Sequence, residues 1–184
     1  MFLNKQFILC LMQITIGGVP GAGKSTIAKM LAKELNYEFY SIGNIRRKLA
    51  SERGLTINEF NSLPENTDQQ VDNYQTKLGK EGDNFVVEGR LAFHFIPNSV
   101  KFFFDCDLHV AAERIYKNQR KSESTYKTVT ETYNALNKRM QNDIERYQRH
   151  YKINCYEIKH FDYVIDTTKL TIDEVLKKVM KIIS

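Results

Sequence analysis

The chain has 184 residues, 42% hydrophobic and 27% charged, which fits one soluble domain around one core and excludes a disordered or fibrous protein. Its net charge of +5 is scattered rather than gathered in a tail. That suits anionic partners without choosing among nucleotides, nucleic acids and lipid headgroups.

Cys10, Cys106 and Cys155 form no CxxC pair, which excludes a zinc ribbon or disulfide framework and reads as reduced thiols in a cytoplasmic protein. The apolar run Phe7-Ile8-Leu9-Cys10-Leu11-Met12 is too short for a signal peptide and lacks a small-residue cleavage site. It flows into Gln13-Ile14-Thr15-Ile16, which reads as a buried strand ending at glycines. Met12 is an alternative translation start that would leave residues 1–11 as an extension. A native peptide spanning 2–11 in mass spectra would exclude it.

A helix over 24–35 follows, with Ile27, Ala28, Leu31, Ala32 and Leu35 on one face. Phe39-Tyr40-Ser41 is a short second strand. Residues 44–53 read as a helix stopped by Gly54, 57–63 as a short helix ended by Pro64, and 68–78 as a polar helix ended by Gly79. Strands are expected at 85–88 and 100–105. Asp107 caps a helix over 108–118. Residues 119–127 are polar and basic with little to bury. A long charged helix spans 129–151, a last strand 163–166, and a last helix 172–183 is capped near Thr171. Strands alternating with helices predict an α/β fold of three layers, with a five-stranded parallel sheet covered on both faces.

The residues Gly18-Val19-Pro20-Gly21-Ala22-Gly23-Lys24-Ser25 fulfil the phosphate-loop pattern GxxxxGK(S/T) between a strand and a helix. Glycines let backbone N–H groups turn toward a phosphate, and the helix behind presents its positive end. Lys24 would reach the β/γ-phosphates and Ser25 would offer a hydroxyl to Mg²⁺, with Thr26 beside them. The loop thus predicts ATP and Mg²⁺. An acid at the end of a second buried strand is expected near the metal, and Glu88 and Asp105 both stand at such ends. Both a phosphotransferase and an ATPase acting on nucleic acid or a protein partner fit this pattern.

Transfer between two nucleotides must neutralise many phosphate oxygens, which favours arginines on separate segments. Arg46, Arg47, Arg90, Arg114, Arg120, Arg139 and Arg146 have that distribution. No basic stripe with interleaved aromatics stands out, which argues against nucleic acid.

Residues 39–54, with Gly43 and Arg47 in a GxxxR pattern, resemble the segment after the P-loop helix in the short, archaeal-type cytidylate kinases. So do Val86-Val87-Glu88-Gly89-Arg90-Leu91-Ala92, the run from Arg139 through Asp143, Arg146 and Tyr147 to Tyr151, and the closing strand from Phe161 to Thr168. The resemblance covers residues 13–179. It implies a nucleoside monophosphate kinase fold with core segments 12–43, 84–118 and 129–184, a monophosphate-binding insertion over 44–80 and a lid over 119–128.

It further implies phosphorylation of CMP or dCMP by ATP, in a monomer with no membrane partner. Gly43, Arg47 and Arg90 would contact the acceptor phosphate, and Asp72 would lie near the acceptor base. Glu88 would hold waters of the Mg²⁺ shell. Arg114 and Arg120 would frame the lid, while Arg139 and Arg146 would approach the transferred phosphoryl. Asn44 departs from the usual acidic residue, the segment around Arg120 is less basic than the family's lid, and His94 stands where an aromatic is more common. His94 reads as structural or as a rim residue. A kinase for another acceptor is the nearest rival.

Overall fold

The computed structural model describes residues 12–61, 63, 67–119 and 125–184. Five strands run in chain order as β1 (Gln13–Gly18), β2 (Glu38–Ser41), β3 (Phe85–Glu88), β4 (Val100–Asp105) and β5 (Tyr163–Asp166). They form one parallel sheet in the order β2-β3-β1-β4-β5. Central β1 pairs with β3 through Ile16↔Glu88 and with β4 through Gly18↔Phe104. The chain reverses its direction of winding there, so a crevice opens beyond the carboxyl ends of β1, β3 and β4.

The helices are α1 (Lys24–Leu35), α2 (Ile42–Glu52), α3 (Ile57–Asn61), α4 (Gln69–Glu81), α5 (Ala92–Phe95), α6 (Leu108–Lys117), α7 (Val129–Tyr151) and α8 (Ile172–Ile183). A single 3₁₀ turn covers Ile158–His160. Asp107 caps α6 by accepting from the His109 and Val110 N–H groups, and Thr171 with Glu174 forms a capping box at α8.

The main core joins Ile14, Ile16, Leu31, Phe102, Phe104 and Val179 across the sheet. A second cluster, with Ile42, Val71, Phe85, Val87 and Ile96, packs α2, α4 and α5 against β3. This cluster fixes the segment that faces the phosphate loop.

Three local expectations are corrected. α2 begins at Ile42 rather than residue 44, because Ser41 at the strand end accepts from the Asn44 N–H and starts the helix at once. α4 runs past Gly79 to Glu81. A Cβ at Gly79 would lie 3.1–3.3 Å from Ile96, so this glycine permits close packing onto α5 instead of ending a helix. α5 itself and the 3₁₀ turn were not expected, being too short to show a period.

Candidate active site

Glycines shape the loop between β1 and α1. Gly18 has φ 123°, and a Cβ there would lie 2.1 Å from the Phe104 carbonyl oxygen. Gly21 has φ 86° and would meet Ala111 at 2.8 Å. Only glycine accepts both a left-handed backbone and so close a neighbour. α1 starts after Gly23 with no side-chain cap. No side chain competes for its first N–H groups, and such a terminus attracts anions.

Lys24 Nζ donates to the Gly18 and Val19 carbonyls at 2.9 and 2.7 Å. Burial lowers its pKa to about 7; Glu88 opposes the shift, while Arg90 and Arg139 add to it. An arriving polyphosphate would favour the charged ammonium again.

Residues 20–27 line a cavity of about 680 Å³. The same cavity reaches Gly43 and Arg47 on α2, Asp72 on α4, Glu88 and Arg90 at the end of β3, Arg114 on α6 and Arg139 on α7. A second lobe of about 690 Å³ shares Gly43, Arg47, Arg90 and Arg139 and adds Arg146. Pro20 to Thr26 of the expected loop, the acceptor side and Arg47, Arg90, Arg114, Arg139 and Arg146 therefore border one continuous space, while Gly18 and Val19 do not line it. Arg120 and the rest of 120–124, half of the expected lid, lie outside the described residues. The described ends of that segment meet, because the Gln119 side chain donates to the Tyr126 carbonyl at 2.9 Å and accepts from its N–H at 2.7 Å.

Acids hold Arg46, Arg90 and Arg146. Arg90 Nε pairs with Asp143 at 2.6 Å, and the Tyr156 hydroxyl donates to the same carboxylate at 3.0 Å. Burial disfavours the Arg90 charge, but Asp143 and Tyr156 hold its pKa well above the ordinary value. Arg46 is buried against Asp68, stacks over Phe60 at 5.3 Å and donates to Thr67 at 3.0 Å. Arg146 reaches the same Asp68 oxygen at 3.4 Å and lies over the Tyr147 ring. Arg47, one step along α2 from Arg46, donates to Asn44. Arg114 donates to the Thr167 and Thr168 carbonyls at 2.9 and 3.2 Å, so its guanidinium is engaged by the loop after β5.

The Ser41 hydroxyl donates to buried Glu88. Asp105, the other candidate acid, is exposed and accepts from the Cys106 N–H at 2.9 Å; it does not line the cavity. The Tyr151 hydroxyl donates to Asp72. Burial raises the Asp72 pKa to about 6 against the pull of that bond. Exposed His94 packs on Phe95 and Tyr151 and does not line the cavity. Cys106 and Cys155 are free and buried; burial, then Asp143, pushes the Cys155 thiol up to about 12.

Sequence reasoning gave no role to Asp68, Asp143, Tyr151 and Gln75. A signal existed for two of them. Asp143 stands four residues after Arg139 and three before Arg146, and Gln75 three after Asp72, spacings that share a helix face. Asp68 had none, since it meets Arg146 across a separation of 78 residues.

The family described as "AAA domain" matches residues 14–142. A shikimate kinase structure from Bacteroides thetaiotaomicron superposes with a TM-score of 0.64, covering 95% of this chain and 99% of that one at 15% identity, which is a likeness of fold. The fold is that of a P-loop kinase, and the curated relatives make it one of the nucleoside monophosphate kinase class. A cytidylate kinase of Methanocella arvoryzae is 36% identical over 161 residues, 86% of this chain and 89% of the relative. The S-adenosylmethionine-dependent nucleotide dehydratase of Lacinutrix mariniflava is 38% identical over 168 residues, which are 89% of this chain but 34% of that longer protein. The chain belongs to the AAA domain family and to the cytidylate kinases.

Proposed function

We propose that this protein transfers the γ-phosphoryl group of ATP to CMP or dCMP, giving ADP and CDP or dCDP. One observation carries the reading: a single cavity runs from the phosphate loop to Asp72, with Arg47, Arg90 and Arg139 on its walls. The family relationship to cytidylate kinases supports the choice of base.

On this reading residues Gly18 to Thr26 hold the triphosphate. The apolar side chains of Ile115, Leu170 and Ile172 offer a surface for the adenine, with Arg114 beside them. Gly43, Arg47 and Arg90 hold the acceptor phosphate. That phosphate is already anionic, so its oxygen attacks in line without a general base. Lys24, Arg139 and Arg146 stabilise the charge that spreads over the transferred group. Residues 119–128, including Arg120, act as the lid that keeps water from the phosphoryl group, and 44–80 act as the monophosphate-binding insertion.

The residues present suit Mg²⁺. No group of three or more His, Cys, Asp or Glu able to hold a metal occurs among the described residues. Mg²⁺ needs none, because it keeps several waters and binds through one or two protein oxygens plus substrate phosphates. Ser25 and Glu88, both on the cavity wall, would supply those contacts. The ion would neutralise phosphate oxygens during transfer. We further propose a monomer acting in the cytoplasm in pyrimidine nucleotide metabolism. No helix among the described residues is long and apolar enough to cross a membrane.

The test is ADP formation with ATP, Mg²⁺ and each common NMP and dNMP, against a control without acceptor. Fastest turnover with CMP or dCMP is expected. Preference for another base overturns the base assignment, and equal turnover without acceptor overturns phosphotransfer to a nucleotide.

A further inference from the structure

Gln75 is 2% exposed and lies on α4 one turn after Asp72, and both line the cavity. Its Oε1 is buried and has no hydrogen-bond partner among the described residues. Buried amides without partners are rare because the lost solvation is costly. One that borders a ligand cavity is explained if a ligand completes it. The terminal torsion of glutamine is broad and roughly two-fold, so this amide can turn either its carbonyl or its NH₂ to an occupant.

We propose that Gln75 is a specificity-determining residue: with Asp72, it selects an acceptor base that carries an exocyclic amine. The proposal rests on the CMP reading above and deepens it. Cytosine presents an amine beside a ring nitrogen acceptor, which matches an amide carbonyl beside an amide NH₂. Uracil presents the reverse order and could use a turned amide only by setting its carbonyl oxygen against Asp72, so UMP gains little from Gln75. The Asp72 carboxylate, held by the Tyr151 hydroxyl, only accepts when ionised. Two acceptors, the Gln75 carbonyl and Asp72, suit the two hydrogens of an amine and oppose the carbonyl oxygen of uracil. Adenine shares the amine pattern, and the size of the purine then becomes the discriminating feature.

The experiment compares kcat/KM for CMP, UMP and AMP in the wild type, Gln75→Met and Gln75→Glu, with the thermal midpoint of each unliganded variant. Methionine keeps the shape and removes the amide. It is expected to hold or raise the midpoint, since Oε1 makes no bond among the described residues. It is expected to lower kcat/KM for CMP by about 10- to 100-fold, with UMP changed by less than about 3-fold on the same reasoning and the KM for ATP unchanged. Glutamate keeps an acceptor for the amine and removes the NH₂, which serves the ring nitrogen of cytosine and the carbonyl of uracil alike, so kcat/KM is expected to fall for both and the CMP/UMP ratio to hold.

A wild type that prefers CMP, paired with a Gln75→Met ratio like its own, overturns the role of Gln75 and leaves the CMP reading intact. A fall of the ratio in Gln75→Glu overturns it too. A wild type with no preference for CMP over UMP overturns the CMP reading and this proposal together.

Discussion

The Ser41 hydroxyl donates to the Glu88 carboxylate and also accepts from the Asn44 N–H that opens α2. The two residues face each other because the β2–β3 register pairs Ser41 with Glu88. One hydroxyl therefore links the acid proposed for the metal shell to the helix that carries Gly43 and Arg47. Ser41→Ala is expected to lose about 1 kcal/mol as a helix cap. Activity is expected to fall about 10-fold or more through the freed carboxylate, as for the outer-shell partners of metal ligands. Denaturant melts and kcat against Mg²⁺ concentration read the two effects. Full activity with a lower melt would confine Ser41 to capping.

Arg90 offers a second test. Its Nε–Asp143 pair is largely buried, with side-chain exposures of 23% and 11%, and it ties the end of β3 to α7. Removing one partner of such a pair strands the other charge. Asp143→Ala is expected to cost about 3 kcal/mol and to raise the KM for the acceptor, because the guanidinium loses its orientation. Asp143→Asn keeps an acceptor for Tyr156 and should lose less. An unchanged acceptor KM in both variants would remove Arg90 from the acceptor site.

Much of the scaffold was legible because long elements repeat their signal. α7 was read as 129–151 from charge and helical period, and the phosphate loop from eight residues whose chemistry is local. The acceptor side was less legible. Arg46 and Arg47 look alike in sequence, yet Arg46 is buried against Asp68 while Arg47 remains partly exposed on the cavity wall. Composition cannot make that distinction; it arises from the rotation of α2 between neighbours far apart in the chain. Gly79 misled for a similar reason, since its neighbour Ile96 is brought by α5.

Gly89 follows Glu88 at the edge of the cavity. A Cβ there would lie 2.8 Å from Ile42 Cγ1 and 3.0 Å from Ile42 Cβ. Ile42 is the first residue of α2. Gly89→Ala should therefore push on the start of that helix, at a cost of about 1–2 kcal/mol from overpacking, and raise the acceptor KM more than the ATP KM. Ile42→Ala placed in the same chain should recover part of the acceptor KM, a coupling expected only of residues in contact. Additive effects of the two substitutions would show that the space is made elsewhere.

Lys24 gives a prediction with a defined pH window. Its pKa in the free protein is about 7, lowered first by burial. Bound triphosphate would raise it, because the anion favours the ammonium. Below pH 7 the lysine is charged in both states, so ATP affinity should be flat on its account. Above pH 7 binding must take up a proton, and affinity should fall, by up to about tenfold per pH unit, until the pKa of the complex is reached. Calorimetric titration of ATP at pH 8, in buffers of different ionisation heat, should show uptake of nearly one proton. Lys24→Arg should abolish that uptake, since a guanidinium stays charged throughout. Lys24→Ala should abolish it as well and remove most activity with the fold retained, because among the described residues Nζ bonds only to the carbonyls of its own loop. Uptake near zero in the wild type at pH 8 would mean that the two carbonyls keep the ammonium charged before ATP arrives, and the loop would then bind its anion without a proton.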